Sequence, residues 1–279
     1  MSIHVVILAQ GTQKRLGAMR GPKQLLPLPA CGGVPILLRT LRQLGLMGLC
    51  GPMDGHSNTT TVVSWALVQR ATDRMAREGT VHARRVGQSW TWHELPDPGN
   101  SSLKGIARYL KHRHDIVSGT PLTSEHLIPI VGTPGATIVL LGDVVYSWQC
   151  LFAILHAAST YGFVGTSNLS SSSGELWGVA WSHEYSYGMM NDLDDALLRH
   201  PPFEDEYQPG QLRRWILGWR HGDVADRVQK MLRAGTYTSI DDYTMDVDLP
   251  HHISQLDAVS ELARVDDANH DVTWEASHG

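Results

Sequence analysis

Residues 3–9, IHVVILA, form an unbroken aliphatic run that stops at a loop rich in glycine and basic residues, QGTQKRLG (10–17). A strand with one wetted face alternates apolar and polar side chains. A run without that alternation suits a strand buried on both faces, as in a parallel sheet covered by helices. A second such run, ATIVLLGDVVYS (136–147), is interrupted by Gly142-Asp143. Around these two runs helical and extended patterns alternate. VPILLRTLRQLGLMGL (34–49) carries leucines at 37, 38, 41 and 44 with proline in its first turn, which predicts a helix that stops at Gly51-Pro52. TTTVVSWALV (59–68) predicts a strand, residues 69–78 a helix and 80–93 an extended segment, while SSLKGIARYLKHRH (101–114) reads as a helix opened by serine. SWQCLFAILHAAST (147–160) reads as helix; YGFVGT (161–166) and ELWGVAW (175–181) read as strands.

This order predicts an α/β fold with a mainly parallel sheet. Past residue 183 the pattern changes. Residues 184–234 read as a mostly helical insert, 237–256 as strand, loop and helix, and the polar, acidic stretch 265–279 as a disordered tail. One domain over 1–264 is therefore expected. A composition of 42% hydrophobic and 18% charged residues fits a folded chain. No stretch approaches the roughly 20 apolar residues that cross a bilayer, and the first residues lack the charged start and apolar core of a signal peptide, so no membrane partner and a cytoplasmic location are expected. A net charge of -5 argues against nucleic acid as a partner. Cys31, Cys50 and Cys150 are in no metal or redox spacing and read as buried thiols. Among fifteen histidines, the dense groups KHRH (111–114) and His251-His252 lack the spacing of a metal pair.

Ligands of open α/β sheets bind beyond the carboxyl ends of the strands, and three features fall there. After the first run come Gly11, where backbone amides can approach an anion, and two cations, Arg15 and Lys23, that can neutralise a polyphosphate. After the second run comes Asp143, placed either to hold a hard cation such as Mg²⁺ or to cap the next helix. In MDVDLP, Asp246 and Asp248 occupy alternate positions of a short strand. Both can face one metal, or one can cap the helix that begins near Pro250.

In order, VVILAQGTQKRLG, GPKQLLPL and GVPILLRTLRQL resemble the N-terminal signature of the nucleotidyltransferases with a GT-A-like fold, on Leu8, Ala9, Gly11, Arg15, Pro22, Lys23, Leu25, Pro27, Leu28 and Pro35. Downstream, PGNSSLKGIARYL is similar to that family's nucleotide-contacting element, close to its molybdenum-cofactor branch. VLLGDVVYS is similar to its metal-binding element, GELWGVAW to an acceptor-pocket strand, and DVDLPHHI to its second metal element. The chain departs from the pattern at Gln10 and Gln13, at Val144-Val145, and at Leu249 with His251-His252.

The resemblance implies a single Rossmann-like (GT-A-like) domain with a mixed, mainly parallel sheet and a helical insert. It also implies a Mg²⁺-dependent transfer of a nucleoside monophosphate from a nucleoside triphosphate to a phosphorylated small-molecule acceptor, with pyrophosphate released. Arg15 and Lys23 would be catalytic, with Leu8, Ala9, Gly11, Ser101 and Ser102 contacting the nucleotide. Asp143 and Asp248 would hold Mg²⁺, and Glu175 and Trp177 would line the acceptor pocket. The insert is a candidate for covering the acceptor or for a homodimer contact. Competing readings are a GT-A glycosyltransferase acting on a sugar nucleotide and a nucleotide-binding module without catalysis.

Overall fold

The computed structural model describes residues 2–9, 22–53, 56–64, 70, 91–94, 135–166, 175–182 and 235–259. The first aliphatic run is β1 (Ser2–Ala9), which lies between β5 (His56–Ser64) and β7 (Gly135–Leu141) and is parallel to both. β4 (Gly51–Met53) pairs antiparallel and β6 (Thr91–Glu94) parallel with β5. On the other side, β10 (Leu176–Ser182) runs antiparallel between β7 and β9 (Tyr161–Gly165), and β11 (Tyr237–Ser239) closes that edge parallel to β9. The sheet order is β11-β9-β10-β7-β1-β5-β4. The fold is α/β with a mixed, mainly parallel sheet, as the alternation of patterns predicts.

Among the described residues, two helices pack on the sheet through one core. Val5, Ile7 and Ala9 of β1 and Ile138 and Leu140 of β7 form one core with Leu37, Leu38, Leu41 and Leu44 of α1 (Ile36–Leu46) and with Cys150, Leu151 and Ile154 of α2 (Trp148–Ala157). The intervening β1 residues Val6 and Leu8 are buried as well, which is why the run carries no alternation.

α1 ends earlier than its sequence pattern predicts. Its last helical residue is Leu46, and Gly51-Pro52 begin β4 instead of terminating the helix. The stop is Gly48, held at a φ of 70°. The Gly48 N–H reaches the Gly45 carbonyl at 2.9 Å and the Leu49 N–H the Leu44 carbonyl at 2.8 Å, a Schellman ending. Leu49 stays buried, so the apolar pattern continues through the turn and mimics another helical turn.

The second aliphatic run is likewise two elements. β7 stops at Leu141, and after the Gly142-Asp143 turn β8 (Val144–Val145) leaves the main sheet to pair with β12 (Met245–Asp246). α2 is capped by the Ser147 hydroxyl, which accepts from the Cys150 N–H at 2.8 Å. Asp143 is therefore not the helix cap. β2 (Pro27–Leu28) and β3 (Val34–Pro35) form a small hairpin before α1, and α3 (Pro250–Asp257) docks near it, where Ala30 N–H donates to Asp257 at 3.2 Å.

A cluster of carboxylates around a buried lysine

Consecutive strands leave β1 in opposite directions across the sheet, towards β5 on one side and β7 on the other, so the carboxyl ends of β1 and β7 form a topological switch point. Gly142 closes it. Its N–H donates to the Leu8 carbonyl at 2.8 Å, and a Cβ at this position would lie 2.8 Å from Ala9 Cβ and 3.0 Å from the Leu8 carbonyl oxygen. Only a residue without a side chain lets the turn lie against β1, and that contact sets Asp143 beside the end of the strand.

The other groups arrive from distant parts of the chain. Lys23 opens a short 3-10 turn (Lys23–Leu25) that packs against α1. β12 is held to the Asp143 turn by its pairing with β8 and by a Val247 N–H to Asp143 carbonyl bond of 3.2 Å. Asp246 and Asp248, two residues apart on extended backbone, fall on one side of it, as alternate strand positions must. The result is one ammonium among three carboxylates. Lys23 Nζ donates to Asp143 at 2.8 Å, to Asp246 at 2.7 Å and to Asp248. Lys23 keeps 7% of its side-chain surface exposed, against 17, 25 and 28% for Asp143, Asp246 and Asp248, so the cluster presents its carboxylates, not its cation, to solvent.

Among the described residues one ammonium faces three carboxylates, and burial acts differently on the two kinds of group. Burial acts to lower the Lys23 pKa, but the charges of Asp143 and Asp246 and their hydrogen bonds outweigh it and hold the amine above the ordinary lysine range. At Asp246 the balance runs the other way: burial, then the charge of Asp143 with that of Asp248, pushes its carboxyl well above the usual carboxylate range against the pull of Lys23.

The support beneath the cluster is polar and buried. Arg39, on the inner side of α1, donates from Nη1 to the Tyr146 carbonyl at 2.7 Å and to the Gln43 amide oxygen at 3.0 Å, and Gln43 Nε2 donates to the same carbonyl at 3.2 Å. The Tyr146 hydroxyl accepts from the Leu141 N–H at 2.8 Å and donates to the Trp177 carbonyl at 2.9 Å. Burial pushes that phenol well above its ordinary pKa, so it serves as a neutral strut between β7 and β10.

Of the residues singled out in the sequence, Lys23, Asp143 and Asp248 meet in this cluster. Leu8 and Ala9 are buried in β1 directly beneath it. Trp177 lies in the main core, at an irregularity in the β9–β10 register, and Glu175 is partly buried at the start of β10, its N–H donating to Thr166 Oγ1 at 2.9 Å. Gly11, Gln13, Arg15, Ser101 and Ser102 lie outside the described residues, as do the helices expected over 101–114 and 184–234, all but residue 70 of the helix expected over 69–78, and the tail 265–279. Asp246 is the member that the sequence left as one of two readings of an alternate pair. Arg39 went unnoticed there, although a lone arginine on the leucine face of an amphipathic helix is a visible signal. Neither Asp246 nor Asp248 caps α3: its cap position is Leu249, without a side-chain bond.

The sheet order and its switch point define an α/β fold of the Rossmann-like kind. Among solved structures, the chain is similar to a protein of Bacillus anthracis described as a glucose-1-phosphate thymidylyltransferase, with a TM-score of 0.55 and 14% identity over 94% of this chain and 95% of that one. It also aligns with 4-diphosphocytidyl-2C-methyl-D-erythritol synthase of Anaerococcus prevotii, with a TM-score of 0.49 and 10% identity over 92% of this chain and 96% of that one. No protein-family model matches the sequence. No curated protein matches it. Among the described residues no helix is long and apolar enough to cross a membrane.

Proposed function

We propose that this chain is a nucleotidyltransferase that moves a nucleoside monophosphate from a nucleoside triphosphate to a phosphorylated small molecule. The observation that carries this reading is the convergence of Lys23, Asp143, Asp246 and Asp248 on one point at the switch of the sheet, in the order in which the resembled signature has its lysine and two acidic elements.

Mg²⁺ fits this donor set. The facing groups are hard carboxylate oxygens on a solvent-accessible side, the kind of ligand it takes together with water and substrate phosphates. Among the described residues no group of three or more His, Cys, Asp or Glu side chains stands ready-arranged for a metal, because these carboxylates close on an ammonium at N–O distances of 2.7 and 2.8 Å, where Mg–O contacts are about 2.0–2.1 Å. An ion bound by these carboxylates would take the place of Lys23 Nζ among them. Asp143 and Asp248, with Asp246 beside them, would hold the ion, which supplies charge neutralisation at the transferring phosphate.

In the reaction an oxygen of the acceptor phosphate forms a bond to the α-phosphorus while the bond from that phosphorus to the β-phosphate bridging oxygen breaks, and pyrophosphate leaves. Such a transfer needs little covalent help from protein; it needs reactants held in line and developing charge stabilised. Lys23, drawn off the carboxylates, would supply a cation to the phosphates. Arg15 and the amides at Gly11 would bind the triphosphate, Ser101 and Ser102 the nucleoside, and Glu175 the acceptor side. Trp177, enclosed in the core, would act there only by shaping the strand.

The test is pyrophosphate release from each nucleoside triphosphate with Mg²⁺ and a panel of acceptors that includes sugar 1-phosphates. Release is expected with one pair and is expected to be lost in Asp143→Ala and Lys23→Ala. No release with any pair, and nucleotide binding indifferent to both substitutions, would remove the enzyme reading in favour of a binding module. Release of nucleoside diphosphate from a sugar nucleotide would replace it with glycosyl transfer.

A further inference from the structure

His252 stands at the third position of α3, where a side-chain acceptor can reach back past the helix cap. Its Nδ1 lies 2.9 Å from the Asp246 carbonyl oxygen and 3.1 Å from the Asp248 backbone nitrogen. The ring therefore touches the backbone on both sides of Val247, in the segment whose two outer carboxylates meet at Lys23. With its lone pair on Nδ1 the imidazole accepts from the Asp248 N–H; with a proton there it donates to the Asp246 carbonyl. Either tautomer closes the same short loop. β12 pairs with β8 at Met245 and Asp246, and the His252 ring carries the connection on from Asp246 to Asp248. Beside this tie run the Val247 N–H bond to the Asp143 carbonyl and a 3.2 Å contact from Asp248 N–H to the Asp246 carbonyl.

We propose that His252 is a positioning residue of the carboxylate cluster: through Nδ1 it fixes the backbone of Asp246-Val247-Asp248 so that both carboxylates aim at the point where Asp143 also aims. The role as support for a cation site rests on the functional reading above, whereas the tie itself does not. Outer contacts that orient acidic ligands typically change metal affinity 10–100-fold when removed.

Two variants of the full chain separate this role from helix packing. His252→Leu keeps bulk and removes the nitrogen. His252→Asn places an amide oxygen or nitrogen where Nδ1 stands and can serve either partner. Should the leucine variant fail to fold, His252→Ala removes the same nitrogen in a residue that favours helix. Two readouts are taken: hydrogen exchange of the Asp248 amide in metal-free protein, and Mn²⁺ binding followed by electron paramagnetic resonance.

In His252→Leu the amide is expected to exchange faster and Mn²⁺ affinity to fall roughly tenfold or more, with both restored close to wild type in His252→Asn. Unchanged amide exchange in the leucine variant, or an asparagine variant no better than leucine, overturns the assignment. Wild-type protein that binds no Mn²⁺ overturns the cation site instead, and exchange at Asp248 still decides the part played by His252.

Discussion

Replacing Lys23 by methionine keeps the buried stem and deletes the charge that the carboxylates of Asp143, Asp246 and Asp248 share. At the observed distances of 2.8 and 2.7 Å, each pair is worth about 6 kcal/mol of Coulomb attraction at an effective dielectric near 20, before the cost of desolvating the ions is set against it. Breaking a buried pair by removing one partner usually costs about 3–5 kcal/mol net, and that is the loss expected for Lys23→Met near pH 7. A loss of that size leaves a typical domain marginally folded.

The pH dependence identifies the cause. Without the ammonium, the Asp246 carboxyl, which burial and the charges of Asp143 and Asp248 already hold above the usual carboxylate range, moves further up. Groups with raised folded-state values favour the folded state below their unfolded pKa, and that contribution is lost as pH rises through the folded value. The penalty of Lys23→Met should therefore shrink as pH falls through the raised Asp246 value, where that carboxyl takes up a proton. Urea titrations of wild type and variant at neutral and acidic pH measure it. An equal loss at both, or one under about 1 kcal/mol at neutral pH, would mean that Lys23 contributes only the packing of its stem.

Two further outcomes follow from the same geometry. Asp246→Asn mimics the protonated acid, so it should raise the thermal midpoint at a pH above the raised Asp246 value and change nothing in acid; scans at several pH values check the sign, and a midpoint lowered at neutral pH contradicts it. Gly142→Ala sets a methyl group 2.8 Å from Ala9 Cβ and should destabilise by about 1–3 kcal/mol, read from the denaturant midpoint, because backbone on both sides must separate.

The sequence by itself determined the sheet's interior and the order of its elements. Aliphatic runs without alternation suit strands covered on both faces, and the leucine spacing of α1 suits a helix with one buried side, so these are local consequences of periodicity. The resemblance of its ordered motifs to the nucleotidyltransferase signature also implied Lys23, Asp143 and Asp248 as a set. What it could not determine was which groups touch. Lys23 and Asp246 are 223 residues apart, and only the pairing of β8 with β12, two short strands with no pattern of their own, brings them to 2.7 Å. The sequence suggested a lysine for phosphate and two aspartates for a metal. The tertiary structure decided that three aspartates share that lysine, because a buried ammonium must be paired and these carboxylates are what the fold sets within its reach.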